Sequence, residues 1–367
     1  MTSSYKMKQS ARHDFPMVLA LSAVLSMSLA SSCTKGLFGT SGITFSARSS
    51  VPDITKTAYG EVSGSQYSIN WEDGDIIRIY SPQASLLDGA THYADYSVAS
   101  HTESGVVSTA AITPADKNGL QWGTGEHGFY GIYPSPATSG MSSLVSINET
   151  SCSFSFPASQ TAGDMRYAYM YAKSTGISPG SASIPLTFEP KFTSFSFTID
   201  RGEYTGVILE SLTLHSGDSS LNGECTLTHS TGAVTCPAYS AGLNDSVTAT
   251  EVDASLSSTT GSVTVLLFVP PHDVGQMTLS VVLNIGTDAS PVRVTRSLKL
   301  QQNGNWISFT GGKCYLLSGI SLQKFDRADG TGITWDGTYN QLFGTEISWT
   351  DSDAYSDSDA EKLSWKE

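Results

Sequence analysis

Charge is scarce in this chain, and positive charge scarcer still: charged residues are 15% of the 367, with 20 Lys and Arg against 34 Asp and Glu. A formal net charge of −14 argues against nucleic acid as a partner, since a phosphate backbone is held by clustered bases. Catalytic signatures are missing as well. The seven histidines (His13, His92, His101, His127, His215, His229 and His272) stand in no HExxH, GxSxG or nucleotide-loop context. No catalytic constellation can be assembled from spacing, so the expectation is a protein that is not an enzyme and needs no cofactor. The five cysteines show no CxxC pair and no zinc-ligand spacing. Calcium fares no better. Glu72, Asp73 and Asp75 are explained by turn chemistry, and the acidic DSDAYSDSDAE tail lacks the glycine and the terminal acid of a calcium loop. No metal site is expected.

What the chain has in abundance is Ser, Thr and Gly, with 16 Tyr and 14 Phe, a composition suited to many short strands joined by turns. The fold class read from this is all-β. The length is long for one domain and comfortable for two. At the N-terminus, Lys6, Lys8 and Arg12 precede an apolar run from Phe15 to Ala30, after which come Ser31, Ser32 and Cys33. This reads as a secretory signal peptide over 1–32, because the apolar run is too short to span a bilayer well. A cysteine directly after Ala-Ser-Ser looks like a bacterial lipobox, whose thiol is acylated. Cys33 is then a lipidation site, and its acyl chains would hold the protein to a membrane without any spanning segment. Three bases and Asp14 precede Cys33, so the rest of the chain is near −16.

After the signal comes a Gly-rich tether over 33–42, then ITFSARS, where Ile43, Phe45 and Ala47 alternate with Thr44, Ser46 and Arg48 as in a half-buried strand. Strand and turn signals continue to about residue 180, and SPGSAS is a candidate linker. The resulting division is an N-terminal β-domain over 43–180, a C-terminal one over 184–325 and an acidic extension over 326–367. In the C-terminal part, VLLFV at Val265–Val269 is apolar throughout and is expected to be central and covered on both faces. The extension reads either as a solvated tail or, at GTEISWT, as a strand that pairs with a neighbour. Cys225 and Cys236 flank CTLTHSTGAVTC, whose turn at Ser230 and Thr231 would set the sulfurs opposite each other. They are either a disulfide or two buried thiols. Trp122, Trp306 and Trp335 form a sugar-stacking platform if exposed, and ordinary packing if not.

The most informative stretch is YSINWEDGDIIRIY, Tyr67 to Tyr80. It reads as a hairpin with Gly74 in the left-handed position, Ile69 opposite Ile77 and Tyr67 opposite Ile79. The tryptophan strand, the Asp-Gly-Asp turn and IIRIYS resemble the N-terminal domain of the fimbrillin family, the type V pilus proteins and their lipoprotein relatives. Further stretches match in the same order: GFYGIYP from Gly128, DMRYAYMYA from Asp164, IPLTFEPKFTSFSFTI from Ile184, VLLFVPP from Val265 and FTGGKCYLL from Phe309.

The resemblance implies two tandem β-sandwich domains of the transthyretin-like Greek-key type. It implies a structural subunit or anchor of a pilus-like fibre at the cell outer membrane, acting in adhesion. It also implies partners, namely other fimbrillin-like subunits joined by strand addition. In such proteins an arginine-specific protease removes the first strand, and Arg48 is the only arginine between Cys33 and Arg78. Arg48 is either that maturation site or simply an outward-facing strand residue. The alternative role is a stand-alone surface lipoprotein that binds host glycan or protein.

Overall fold

The computed structural model describes residues 42–49, 71, 73–98, 109–116, 118–201, 206–256, 261–287, 289–302, 304–322, 326–327 and 339–342. All belong to one compact unit, Thr40–Glu367. Among the described residues run 24 strands and one 3-10 turn, so the chain is all-β as its composition requires. In order they are β1 (Phe45–Ser49), β2 (Ile76–Tyr80), β3 (Tyr93–Val98), β4 (Thr109–Pro114), β5 (His127–Tyr133), β6 (Val145–Ile147), β7 (Ser151–Phe156) and β8 (Ser159–Thr161). Then come β9 (Met170–Ile177), β10 (Ile184–Pro190), β11 (Thr193–Asp200), β12 (Val207–Ser216), β13 (Gly223–Thr228), β14 (Val234–Thr235), β15 (Ser246–Thr250) and β16 (Ala254–Leu256). The last are β17 (Ser262–Val269), β18 (Met277–Asn284), β19 (Arg293–Lys299), β20 (Gln301–Gln302), β21 (Asn305–Trp306), β22 (Cys314–Ser321), β23 (Asp326–Arg327) and β24 (Tyr339–Leu342).

Seven strands close into a barrel in the order β1-β10-β9-β5-β2-β3-β4. Two facing sheets are the expectation from the sequence; closure instead pairs the edges that an open sheet leaves unpaired. It is possible because period-two alternation turns one face of each strand inward. Ile77 and Ile79 of β2, Tyr96 and Val98 of β3, and Ala110 and Ile112 of β4 are all buried. Ile184–Pro190, where the second domain is expected to begin, forms β10 and completes this ring. Outside the wall, Arg78 makes a bidentate pair with Asp95 directly across the β2–β3 ladder, at 2.9 and 2.7 Å.

Gly74 has φ +89°, which a β-carbon would resist. The hairpin partner nevertheless differs from expectation. One edge of β2 pairs with β3, placing Ile77 opposite Tyr96 and Ile79 opposite Ala94, and the other pairs with β5. Both ladder edges of β2 are thus taken without Tyr67 and Ile69, which lie outside the described residues. Trp71 is buried edge-on against Tyr133 and Phe188, with ring centroids 5.3 and 5.2 Å away.

A small sheet, β14-β13-β7-β6, contributes Cys152, Phe154, Phe156 and Leu227 to the barrel's own core. The remaining strands form a sheet of order β17-β11-β22-β24 and a larger one of order β23-β19-β18-β12-β15-β8, with β16 on β12. Their apolar faces share a second core, to which Phe195, Leu214, Leu267, Val281 and Leu317 contribute. A bulge at Glu210 in β12 lets Leu209 and Leu212 both point inward, although they are three positions apart. Val265–Val269, expected at the centre of a sheet, lies in β17 at the end of its ladder. It is covered on both faces all the same: Leu266 and Phe268 belong to the barrel core, and Val265, Leu267 and Val269 to the second. The acidic extension contributes β23, against β19, and β24, against β22. GTEISWT lies outside the described residues.

Candidate functional site

β1 is held from both sides. It runs parallel to β10, with Phe45 opposite Ile184 and Ser49 opposite Phe188, and antiparallel to β4, with Phe45 opposite Ile112 and Arg48 opposite Thr109. The bonds extend beyond the strand itself: Ile43 N–H donates to Leu120 O over 2.9 Å, and Ile184 N–H donates to Thr44 O over 3.0 Å. Alternation decides what each side chain does. Ile43, Phe45 and Ala47 are buried, while Thr44 and Arg48 face outward.

Phe45 is the anchor of the strand. Its ring meets those of Tyr96 and Phe129 edge-on, each centroid 5.1 Å away, the arrangement that aromatic quadrupoles favour. Tyr96 accepts a hydrogen bond from Leu120 N–H at 2.9 Å, and burial holds its phenol well above the usual range, so it stays neutral. Full burial of a phenylalanine side chain is worth about 1.5–3 kcal/mol by area. Taking β1 away would therefore open an apolar slot walled by Tyr96, Phe129 and Ile112, and would leave two unpaired strand edges, those of β4 and β10. The chain between Gly42 and Ser49 is both wall and plug.

At the far side of the barrel, His229 joins the small sheet to the wall. Its Nε2–H donates to Asn148 O at 3.0 Å and Nδ1 accepts from Tyr171 Oη at 3.0 Å. Tyr130 stacks on the ring at 4.2 Å, and burial, the largest influence, lowers the imidazole pKa. His127 is similarly enclosed between Gly123 N–H, Gly125 O and the rings of Trp122 and Phe129. These histidines are structural partners in the packing, each with both nitrogens engaged.

Of the residues singled out from sequence, Arg48, Cys225 and Cys236 are described and Cys33 is not. Arg48 is exposed, one residue from the end of β1. Cys225 and Cys236 are joined as a disulfide across the β13–β14 hairpin, Cα atoms 4.2 Å apart. Gly232, at φ +72°, and the Thr228–Ala233 bond turn the hairpin. Trp122 packs against His127 and Phe129, Trp306 is 37% exposed on β21, and Trp335 lies outside the described residues, so no tryptophan platform is assembled from described ones. Asp75 accepts from Tyr133 Oη at 3.0 Å. Among the described residues no three metal-ligating side chains cluster. Sequence reasoning missed Phe129 and Tyr96 as the floor beneath β1, because only closure of the ring brings them there.

The sequence profile of the fimbrillin-like family matches residues 55–318. No curated protein matches the chain. Solved structures resemble it at low identity. A candidate cell adhesion protein from Bacteroides ovatus is 14% identical with a TM-score of 0.48, over 84% of this chain and 98% of that one. One from Bacteroides uniformis is 16% identical with a TM-score of 0.45, over 84% and 98%. A fimbrial protein from Bacteroides vulgatus is 13% identical with a TM-score of 0.41, over 77% and 97%.

Proposed function

The chain belongs to the fimbrillin-like family, and from that premise we propose that it is a non-enzymatic envelope lipoprotein, a subunit or anchor of a pilus-like surface fibre that works in adhesion. Residues 1–32 act as the signal peptide, and acylated Cys33 anchors the protein at the outer membrane on a short tether. The mature chain carries two domains, one around each apolar core, and the second is the transthyretin-like sandwich of the family. The observation that carries the assembly reading is the setting of β1. It is a short segment next to the tether, buried on one face, bonded on both edges and carrying an exposed arginine one residue before its end. Cleavage at Arg48 would free the segment while leaving β4 and β10 in place, and an extended strand from another subunit would restore both the ladder and the burial.

The test is to treat the purified mature protein with an arginine-specific protease and run it unboiled on a denaturing gel. A ladder of stable oligomers is expected of a fibre-forming subunit. A clipped or intact monomer with no ladder would refute polymerisation and point to an anchor, a tip protein or the stand-alone binder. The alternative, a stand-alone surface lipoprotein that binds host glycan or protein, is favoured by one observation, an exposed Tyr239 beside a cleft.

A further inference from the structure

The loops that follow β12, β14 and β17 border a shallow, open cleft of about 560 Å³ lined by Asp218, Ser220, Pro237, Tyr239, His272 and Asp273. Tyr239 is 38% exposed, yet its backbone is pinned on both sides. On one side Cys236 is bonded to Cys225, and Ser220 Oγ donates to Pro237 O over 2.8 Å. On the other, buried Asn244 donates from Nδ2 to Ala238 O at 2.8 Å and accepts Ser240 N–H at 2.7 Å. An exposed aromatic on so constrained a loop loses little freedom when something stacks on it.

The opposite walls are fixed as firmly. His272 Nε2–H donates to Ser220 O over 2.7 Å, and Gly311 lies so close to the His272 backbone that a β-carbon there would collide with it. Each carboxylate spends one oxygen on the scaffold. Asp218 Oδ1 accepts from Ser219 Oγ at 2.8 Å, and Asp273 Oδ1 accepts from Gly311 N–H at 2.8 Å. Their Oδ2 atoms accept no hydrogen bond within the described residues.

We propose that this cleft binds a neutral sugar unit, with the C–H face of a pyranose on Tyr239 and its hydroxyls donating to Asp218 and Asp273. The chemistry is complementary on both counts. A carboxylate can only accept and a sugar hydroxyl readily donates, while an aromatic ring offers apolar area to a face without polar groups. Two carboxylates on one cleft repel sialylated or sulfated sugars, which supplies discrimination by charge. A hard cation wants six or more oxygens, and among the described residues no third metal-ligating side chain clusters with this pair. The proposal holds whether or not the chain polymerises.

The experiment is saturation-transfer NMR of the mature protein with free galactose, fucose and N-acetylglucosamine, and with sialic acid as the acidic control. At least one neutral sugar should bind and sialic acid should not. Tyr239→Ala should weaken binding tenfold or more, whereas Tyr239→Phe, which keeps the stacking face, should stay within about twofold. Asp273→Asn retains the oxygen that Gly311 holds, so it should weaken binding without lowering the melting temperature. The proposal is overturned if none of the three sugars binds, if binding survives Tyr239→Ala, or if calcium alone raises the melting temperature through Asp218 and Asp273 and no sugar competes.

Discussion

Gln160 and Phe268 stand 108 residues apart, yet the carboxamide of the first closes on the peptide groups of the second: Nε2 donates to Phe268 O over 2.7 Å and Phe268 N–H donates to Oε1 over 3.0 Å. The side chain thus supplies both bonds that a neighbouring strand would give. It does so where β17 ends its ladder between the two apolar cores, a place where unpaired backbone groups would be costly. Gln160 is 1% exposed, so the same groups could not turn to water.

Gln160→Leu should therefore destabilise the protein by about 2–4 kcal/mol, because it strips two buried backbone groups of their bonds while keeping side-chain volume nearly constant. Urea denaturation checks this. An unchanged midpoint would mean that the edge of β17 is satisfied in another way.

How much of this was legible in advance depends on the range of the interaction. The alternation of Ile43, Phe45 and Ala47 is local, and it foretold which faces are buried. So did the β13–β14 turn, whose Thr226–Thr235 register follows from Gly232 and its neighbours. Pairing partners were not legible. β2 chose β3 and β5 over the segment immediately before it, because ladder edges are allotted by ring closure and not by proximity in sequence. For the same reason the apolar run of β17 signalled burial on two faces but not its place at a ladder's end. The cleft at Tyr239 gave no sequence signal, since three loops with ordinary turn residues build it.

Acid should weaken the fold through its buried imidazoles. Burial is the largest influence on His127 and His229, which are 1% and 2% exposed, and lowers the pKa of each. The folded chain therefore resists a proton that the unfolded chain accepts near pH 6.5. This contribution to stability is complete above that pH and is lost as the pH falls below it toward the lowered folded values. For His127 the reason is visible, since Nε2 already receives Gly123 N–H at 3.0 Å and a proton there would set donor against donor. The melting temperature should be level from pH 8 to 7 and drop by pH 5. His127→Gln should flatten part of that slope; a profile level down to pH 5 would contradict it.

The Cys225–Cys236 bridge closes a short loop, 11 positions apart in sequence. Loop-closure entropy gives it about 3 kcal/mol. Cys225→Ser with Cys236→Ser should lower stability by about that amount and should loosen Tyr239. Stability equal to wild type, with only the thiols of Cys152 and Cys314 titrated in the unfolded wild type, would show the bond to be energetically idle.

The proposed anchoring rests on Cys33. In whole cells, Cys33→Ala should yield unlipidated protein that moves to the aqueous phase of a detergent partition, while wild type stays with the detergent. Identical partitioning of the two would remove lipid from the account of how this protein is held.

The setting of β1 makes a sharper prediction than cleavage alone. If the slot beneath Phe45 is what a second chain fills, then a synthetic peptide with the sequence GITFSARS, Gly42 to Ser49, should occupy it once the native segment has been clipped and removed. The peptide carries the same alternation, with Ile43, Phe45 and Ala47 on the face that is buried in the intact protein. It should cap the clipped protein as a monomer and suppress any ladder in proportion to its concentration. The same peptide with Phe45→Glu should do neither. Its carboxylate would have to sit between Tyr96 and Phe129, where burial without a partner costs several kcal/mol. Its backbone could still offer every ladder bond to β4 and β10, so the comparison separates side-chain burial from strand pairing. Should both peptides cap equally, pairing alone would govern assembly and the slot would be incidental. Should neither cap, the strand is not exchangeable, and the barrel is closed for stability and not for assembly.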